Sequence, residues 1–377
     1  MNRPIVIIGS GHAGYTLARA YRRLNQTRPV VIVTEDDGAD YPKPQLSHGF
    51  GNGASAERLI RQSAAGIAAE LKVMICAHTT VLGIDFDAQL VRLEQRSIPY
   101  GELVFAVGAQ AYIPPMAGNA LDQMLTLNTL QDYRRYREQL EHSRHVLVIG
   151  GGLIGTEVAH DIARHKRVSL VDVNDRLLSK LVPPIVSTQL QAELADVDFH
   201  FNTSVKAINR VDGHLRATLA NGDILTVDTV VCAAGLRPRL ELAQALDTRT
   251  GIVVDDHLRT SQAHVHALGD CAEIDGKVLP YLQPITLSAN ALAQTLAGTP
   301  TPVRFGPMPV AVKTPRYPIQ LGGVTCGELE WEINEDETGL TAKATQQGEM
   351  VGYVTGGTHN GFRLLSQLPR GEVRRGI

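Results

Sequence analysis

At 377 residues, with 44% hydrophobic and 20% charged residues, the chain is too long for one ordinary globular core, and two or three domains are expected. A net charge of −3 excludes the broad basic footprint of a nucleic-acid-binding protein or one held on anionic membranes. No run approaches the ~20 apolar residues of a membrane span, so no membrane partner is expected.

The first element is the apolar run Pro4-Ile5-Val6-Ile7-Ile8, opening into Gly9-Ser10-Gly11-His12-Ala13-Gly14. It predicts a strand over 4–9 feeding a helix over 12–24, too short and too glycine-bound to be a secretion signal. In a G-x-G-x-x-G turn the first glycine permits the tight bend and the second lets backbone approach a pyrophosphate. The third lets helix and strand pack closely. The helix N-terminus then offers free N–H groups and its positive dipole end to the phosphates. A buried-type strand at 30–34 ends at Glu35, 21 residues beyond Gly14, near the ~20 expected of an acid that holds a ribose. Gly9, Gly11, Gly14 and Glu35 are the first set of candidate nucleotide ligands.

Farther along, Tyr100 to Gly108 reads as a strand ending at a glycine turn, and Pro114-Pro115 with Gly118 as a crossing between domains. The opening pattern then returns about 140 residues after its first appearance, as Val146-Leu147-Val148-Ile149-Gly150-Gly151-Gly152-Leu153-Ile154-Gly155. It predicts a strand over 145–150, a helix over 153–165 and a strand over 168–172 that ends at Asp172, 17 residues beyond Gly155. Two copies in matching context point to two dinucleotides, FAD and a nicotinamide nucleotide. Gly150, Gly152, Gly155 and Asp172 form the second set. An acid at Asp172 attracts a free 2′-hydroxyl and repels a 2′-phosphate, so NADH is expected rather than NADPH. Arg176, the kind of residue that accepts a 2′-phosphate, is read as a surface side chain. His160 and Asp161 lie in the same helix, with no nucleophile elbow to make a Ser-His-Asp triad.

Thr229 to Gly235, followed by Arg237-Pro238-Arg239, returns the chain to the first domain. Residues 260–270 read as a strand closing on Gly269-Asp270, and a helix is expected from about 286 to 297. Prolines 300, 302, 307 and 309 mark a boundary before a strand-leaning remainder that contains the single tryptophan, Trp331. The predicted class is α/β, with two Rossmann-like dinucleotide-binding domains and a small C-terminal α+β domain. The FAD-binding domain is expected over 1–115 and 236–305, the NADH-binding domain over 116–235, and the small domain over 306–377. Cys76, Cys232, Cys271 and Cys326 form no C-x-x-C pair, which argues against zinc, a redox dithiol or a disulfide framework and for the cytoplasm. The 13 histidines show no metal-ligand spacing, and His264 and His266 read as structural.

The order of these motifs, with Ala234-Gly235-Leu236-Arg237-Pro238 and Leu268-Gly269-Asp270, resembles the two-dinucleotide flavoprotein reductases. Tyr41-Pro42-Lys43-Pro44-Gln45-Leu46-Ser47 is similar to the segment that passes beside the flavin in rubredoxin and ferredoxin reductases. Lys43 to His48, Met124 to Asn128, Leu279 to Pro284 and Val312 to Pro315 narrow the resemblance to the flavorubredoxin-reducing branch. The resemblance covers nearly the whole chain.

The resemblance implies a cation, Lys43, beside the isoalloxazine, where its charge favours the electron-rich reduced ring. It implies Asp270 and Gly108 on FAD, and a helix beginning near Pro284 that aims its N-terminus at the flavin. Glu157 resembles the family glutamate that contacts the nicotinamide carboxamide. Lys43 and Glu157 are thus the candidate catalytic pair, and no protein nucleophile is needed, since the cofactors supply hydride chemistry.

Disulfide reductases of this architecture carry a thiol early in the flavin domain, and here no cysteine precedes Cys76. The electrons are therefore expected to leave to an external one-electron carrier. The resemblance implies an acidic rubredoxin, the rubredoxin part of a flavorubredoxin, whose own activity is nitric oxide reduction. Lys43, Lys313, Arg316, Arg370, Arg374 and Arg375 are candidates for a complementary basic rim. Two alternatives stay open: a reductase of free rubredoxin or of a [2Fe–2S] ferredoxin serving a hydroxylase, and a non-enzymatic NADH-sensing flavoprotein. The short tail domain implies a monomer.

Overall fold

The computed structural model describes residues 3–369, so Arg370, Arg374 and Arg375 lie outside the described residues. The chain divides into two compact units, and it crosses between them repeatedly. One comprises Met1–Pro42, Glu57–Gln110 and Leu236–Phe305; the other comprises Lys43–Ala56, Ala111–Gly235 and Gly306–Ile377.

In the first unit, Ile5–Ile8 lies at the centre of a five-stranded sheet, flanked by Val30–Val33 on one side and Glu102–Phe105 on the other. Met74–Cys76 and Val265–Ala267 form the two edges, and every pairing is parallel. The four central residues Ile5, Val6, Ile7 and Ile8 are all buried, as a strand covered on both faces requires. The helix His12–Leu24 covers one face and packs along the helix Leu282–Leu296. Its buried Tyr15, Leu17, Ala18 and Tyr21 join the same core as the strands.

The second unit repeats this plan. Its four-stranded parallel sheet runs Val197–His200, Arg167–Val171, His145–Ile149, Thr229–Cys232. In each unit the strand that feeds the glycine turn sits where strand order reverses, the position at which doubly wound sheets bind ligands. The duplication extends to the connection before the returning strand. Val81–Asp85, Leu90–Leu93 and Ser97–Pro99 form an antiparallel meander in the first unit; Val205–Val211, His214–Leu219 and Ile224–Val227 do so in the second. Sequence patterning did not reveal these meanders, although Asp212-Gly213 is a hairpin dipeptide and both residues have positive φ, 48° and 84°.

Also in the second unit, a five-stranded antiparallel sheet runs Pro309–Val312, Ile319–Gly323, Glu349–Gly357, Gly339–Gln346, Glu330–Asp336, with a helix at Phe362–Gln367. The expected strand-leaning remainder is thus an antiparallel sheet with one helix. Among the described residues, no helix is long and apolar enough to cross a membrane.

Candidate functional site

The two glycine turns are sterically alike. A Cβ on Gly9 would lie 2.2 Å from the Ala106 carbonyl oxygen, and one on Gly14 would lie 2.1 Å from that of Gly9. A Cβ on Gly150 would lie 2.5 Å from the Ala233 oxygen, and one on Gly155 would lie 1.8 Å from that of Gly150. The first and third glycines are therefore required by the protein's own packing, the first also by its positive φ (112° at Gly9, 109° at Gly150). Gly11 and Gly152 differ: a Cβ there meets nothing within 4 Å. Each is the N-cap of its helix, without a side-chain cap, and neither helix has an acid in its first turn. Each turn is thus a bare concave cradle of helix-start N–H groups, which fits a pyrophosphate.

Around the first cradle, Ser10 Oγ donates to Thr34 Oγ1 at 2.8 Å, tying the turn to the end of the second strand. Glu35 follows there; its side chain is 60% exposed and meets Arg239 Nη1 at 3.2 Å. Arg239 N donates to Gly108 O at 3.0 Å, so Glu35, Arg239 and Gly108 form one rim. At Gly269, where φ is 81°, a Cβ would lie 2.9 Å from Ala13 Cβ, which sets Asp270 against the helix of the first cradle. Burial pulls the His12 imidazole below its ordinary value of 6.5, against the opposing pull of Asp40 and Asp270. The helix expected from about 286 starts earlier, at Leu282, which puts Pro284 in its first turn. A proline suits that place, because a first-turn N–H has no intrahelical partner to lose.

Around the second cradle, Asp172 is buried. Its Oδ2 accepts from Gly151 N, and its Oδ1 accepts from Asn174 N at 2.7 Å and Asn174 Nδ2 at 2.6 Å. The acid expected to hold a ribose thus also braces the glycine turn. Arg176, expected at the surface, is partly exposed and its guanidinium lies on Asp175 at 2.8 Å and the Ser179 carbonyl at 3.2 Å. A guanidinium so engaged is not poised for a 2′-phosphate.

The helix Leu153–Ala163 carries a second function. Glu157, 0% exposed, accepts from Ser47 Oγ at 2.5 Å and from Lys313 N at 2.9 Å, and pairs with Lys313 Nζ at 3.6 Å. Lys313 Nζ also donates to the Pro44 carbonyl at 2.9 Å. One turn on, Asp161 Oδ2 accepts from Gly51 N at 3.0 Å. Between them, His160 Nε2 accepts from Arg316 N at 3.4 Å. The spacings match: positions 157 and 161 lie on one helix face and take donors from 47 and 51, while 157 and 160 take donors from 313 and 316.

Burial pushes the Asp161 carboxyl up to about 6, opposed by the Gly51 and Phe50 N–H groups and by Arg164 and His165. Burial, with Arg316 and Arg164 adding, pushes His160 down to about 4, so it accepts as a neutral ring. The segment Lys43–Ala56 is further clasped by Tyr133 Oη and Arg137 Nη1, both donating to the Ala54 carbonyl at 2.7 and 2.8 Å. Lys43 opens the short 3₁₀ helix Lys43–His48 at the start of this strap.

Lys313 and Arg316 were candidates for a basic docking rim, but the first is committed to Glu157 and Pro44. The second points its Nη1 at the Glu193 carbonyl, 3.2 Å away, and at Asp196, 3.5 Å away. For Lys313 the reason is that a buried carboxylate needs a countercharge, whereas Arg316 and its partner Asp196 are both exposed. The sequence reading also missed Ser47, Asn174 and Arg239 as partners; Ser47 and Arg239 lie in runs it had singled out for other reasons. No thiol lies in the strap: Cys76, Cys232 and Cys271 are buried, and the exposed Cys326 lies beyond the Ile319–Gly323 strand.

Residues 3–295 match the pyridine nucleotide-disulphide oxidoreductase family, and residues 302–368 match the rubredoxin binding C-terminal domain. The nitric oxide reductase FlRd-NAD(+) reductase of Vibrio vulnificus (strain CMCP6) is 43% identical over 376 residues, covering 98% of each chain. The rubredoxin-NAD(+) reductase of Alcanivorax borkumensis is 41% identical, covering 97% of this chain and 98% of its own. Among solved structures, a ferredoxin reductase from Rhodopseudomonas palustris superimposes with a TM-score of 0.87 at 25% identity, covering 94% of this chain and 91% of its own. The two cradles, the doubly wound sheets and the match over most of the length agree: this chain is an oxidoreductase that uses FAD and NADH, and it belongs to the pyridine nucleotide-disulphide oxidoreductase family.

Proposed function

We propose that this protein takes hydride from NADH onto FAD and passes the electrons singly to the rubredoxin part of a flavorubredoxin, which reduces nitric oxide anaerobically. One observation carries the reading. Two pyrophosphate cradles share a chain with a region that matches rubredoxin binding, and the strap that opens at Lys43 holds no thiol to take the electrons instead. FAD supplies the two-electron to one-electron conversion; the chain's residues bind, orient and tune.

In this reading Gly9, Gly11, Gly14, Glu35, Gly108, Asp270 and Pro284 serve FAD, within a domain of residues 1–115 and 236–305. Gly150, Gly152, Gly155 and Asp172 serve NADH, within residues 116–235. Glu157 orients the nicotinamide through its carboxamide, and Lys43 lends positive charge beside the reduced flavin. Residues 306–377 form the carrier-facing domain, and the protein works in the cytoplasm as a monomer. A free rubredoxin as acceptor is the second reading, favoured by the likeness to the Alcanivorax borkumensis enzyme.

Anaerobic stopped-flow tests both. The FAD-loaded protein is mixed with NADH or NADPH, then with oxidised flavorubredoxin or free rubredoxin, and bleaching of the iron centre is followed. Fast flavin reduction by NADH and faster bleaching of flavorubredoxin support the proposal. Preference for free rubredoxin moves it to the second reading. A long-lived NADH–flavin complex that bleaches neither overturns both.

A further inference from the structure

Lys313 lies in the stretch that matches rubredoxin binding, yet its amine is engaged by groups of its own chain. Its amine sits 3.6 Å from the fully buried Glu157 and 2.9 Å from the Pro44 carbonyl, and its own N–H donates to Glu157. The same carboxylate takes the Ser47 hydroxyl, four residues along from Lys43. We propose that Lys313 is a positioning residue for the reaction with NADH: it neutralises and aims Glu157 and holds the Pro44 carbonyl next to Lys43, so the carrier-binding region helps build the nicotinamide side of the site. This rests on the reading of Glu157 as the nicotinamide-orienting group.

The physical argument is one of compensation. A carboxylate with no exposed surface needs a countercharge and donors, and among the described residues the ion pair that Glu157 makes is with Lys313. Ser47 and the Lys313 N–H supply the donors. Helix Leu153–Ala163 sets the direction of the carboxylate, since Glu157 follows Gly155 of the cradle by two residues. The lysine stem crosses from the Pro309–Val312 strand to the strap, so loss of the amine frees two anchors at once: the carboxylate and the carbonyl beside Lys43. A docking lysine acts on the carrier, whereas this lysine acts before any carrier arrives. Its neighbour in sequence supports the same geometry, because Arg316 N is held by His160 on that helix.

The test is the reductive half-reaction with no carrier present. NADH is mixed anaerobically with the FAD-loaded wild type, Lys313→Met, Lys313→Arg, Glu157→Gln and the double variant Lys313→Met/Glu157→Gln. The limiting rate of flavin reduction, the half-saturating NADH concentration and the long-wavelength NADH–flavin charge-transfer absorbance are read. The expected result is a tenfold or greater loss of limiting rate in Lys313→Met, with a weakened charge-transfer band and partial rescue by Lys313→Arg. In the double variant Lys313→Met adds little to the loss already caused by Glu157→Gln, because the pair acts as one unit. The double variant removes both charges together, so it remains measurable if Lys313→Met alone does not fold. If Lys313→Met reduces flavin at the wild-type rate while Glu157→Gln is slow, the inference about Lys313 is overturned and the reading of Glu157 survives. If Glu157→Gln is itself as fast as wild type, the reading of Glu157 fails. If Lys313→Met slows reduction equally with Glu157 present or replaced, the lysine does not act through that carboxylate and the inference fails.

Discussion

The helix after each glycine turn begins alike and ends differently. Counting from the third glycine, Glu157, His160 and Asp161 of the second helix occupy the places of Thr16, Arg19 and Ala20 in the first. The first helix buries Ala20 and turns Arg19 outward to Asp40 at 2.7 Å. The second buries all three ionisable groups and spends them on the strap and on residues 313–316. The acids at the ends of the following strands differ in the same sense: Glu35 is an exposed rim residue, and Asp172 is a buried brace. One motif therefore does two jobs. Cradle geometry is common to both, and the second copy is also the hub of its unit.

The largest expected effect tests what is common. Gly14→Val and Gly155→Val each drive a side chain into a carbonyl oxygen at about 2 Å, so both should lose roughly 3 kcal/mol or more and fail to give a cooperative melt. If either folds normally, the steric equivalence of the cradles is broken.

The next effect belongs to the second helix alone and concerns pH. Asp161 is raised from 3.8 to about 6, so its contribution to stability is full below 3.8 and is lost as pH rises through 6. His160 is lowered from 6.5 to about 4, so its contribution is full above 6.5 and is lost as pH falls through 4. The two slopes oppose each other over one window. Asp161→Asn should leave the histidine slope, with stability climbing between pH 4 and 6.5, and His160→Gln should leave the aspartate slope, with stability falling. Each swing is on the order of 2 kcal/mol. Urea midpoints at several pH values read this out, and slopes of the same sign in the two variants would contradict it.

Smaller again are the second glycines. Gly11→Ala and Gly152→Ala meet no protein atom within 4 Å, so melting should stay near wild type. Affinity for FAD in the first variant and for NADH in the second should fall by about tenfold, or ~1.4 kcal/mol. Flavin fluorescence and steady-state titration measure the two separately, and a cofactor loss in the opposite site would reverse the assignment of the cradles. The smallest effects separate the acids. Asp172→Ala should cost about 1 kcal/mol of stability through the unpaired Gly151 N–H, and Glu35→Ala less than that, since its ion pair is exposed. Equal losses would mean that the buried brace is no firmer than the rim.

The cradles, the duplicated strand–helix–strand order and the two acids were legible because each rests on local rules: glycine sterics, apolar runs and a fixed distance to the next strand end. The short meanders were not, because three- to seven-residue strands with mixed burial carry little periodic signal. Helix starts fell in between, with Leu282 opening four residues before the expected point. Lys313 shows the limit most clearly. Its stretch was singled out by resemblance, but a lysine looks the same in sequence whether it faces water or a buried carboxylate. The partners of Glu157 stand 110 and 156 positions away along the chain. Sequence alone determined that this protein would hold two dinucleotides. Only tertiary structure decided which residues converge on the second helix, because burial, which makes a charge seek its partner, is a property of the packed chain.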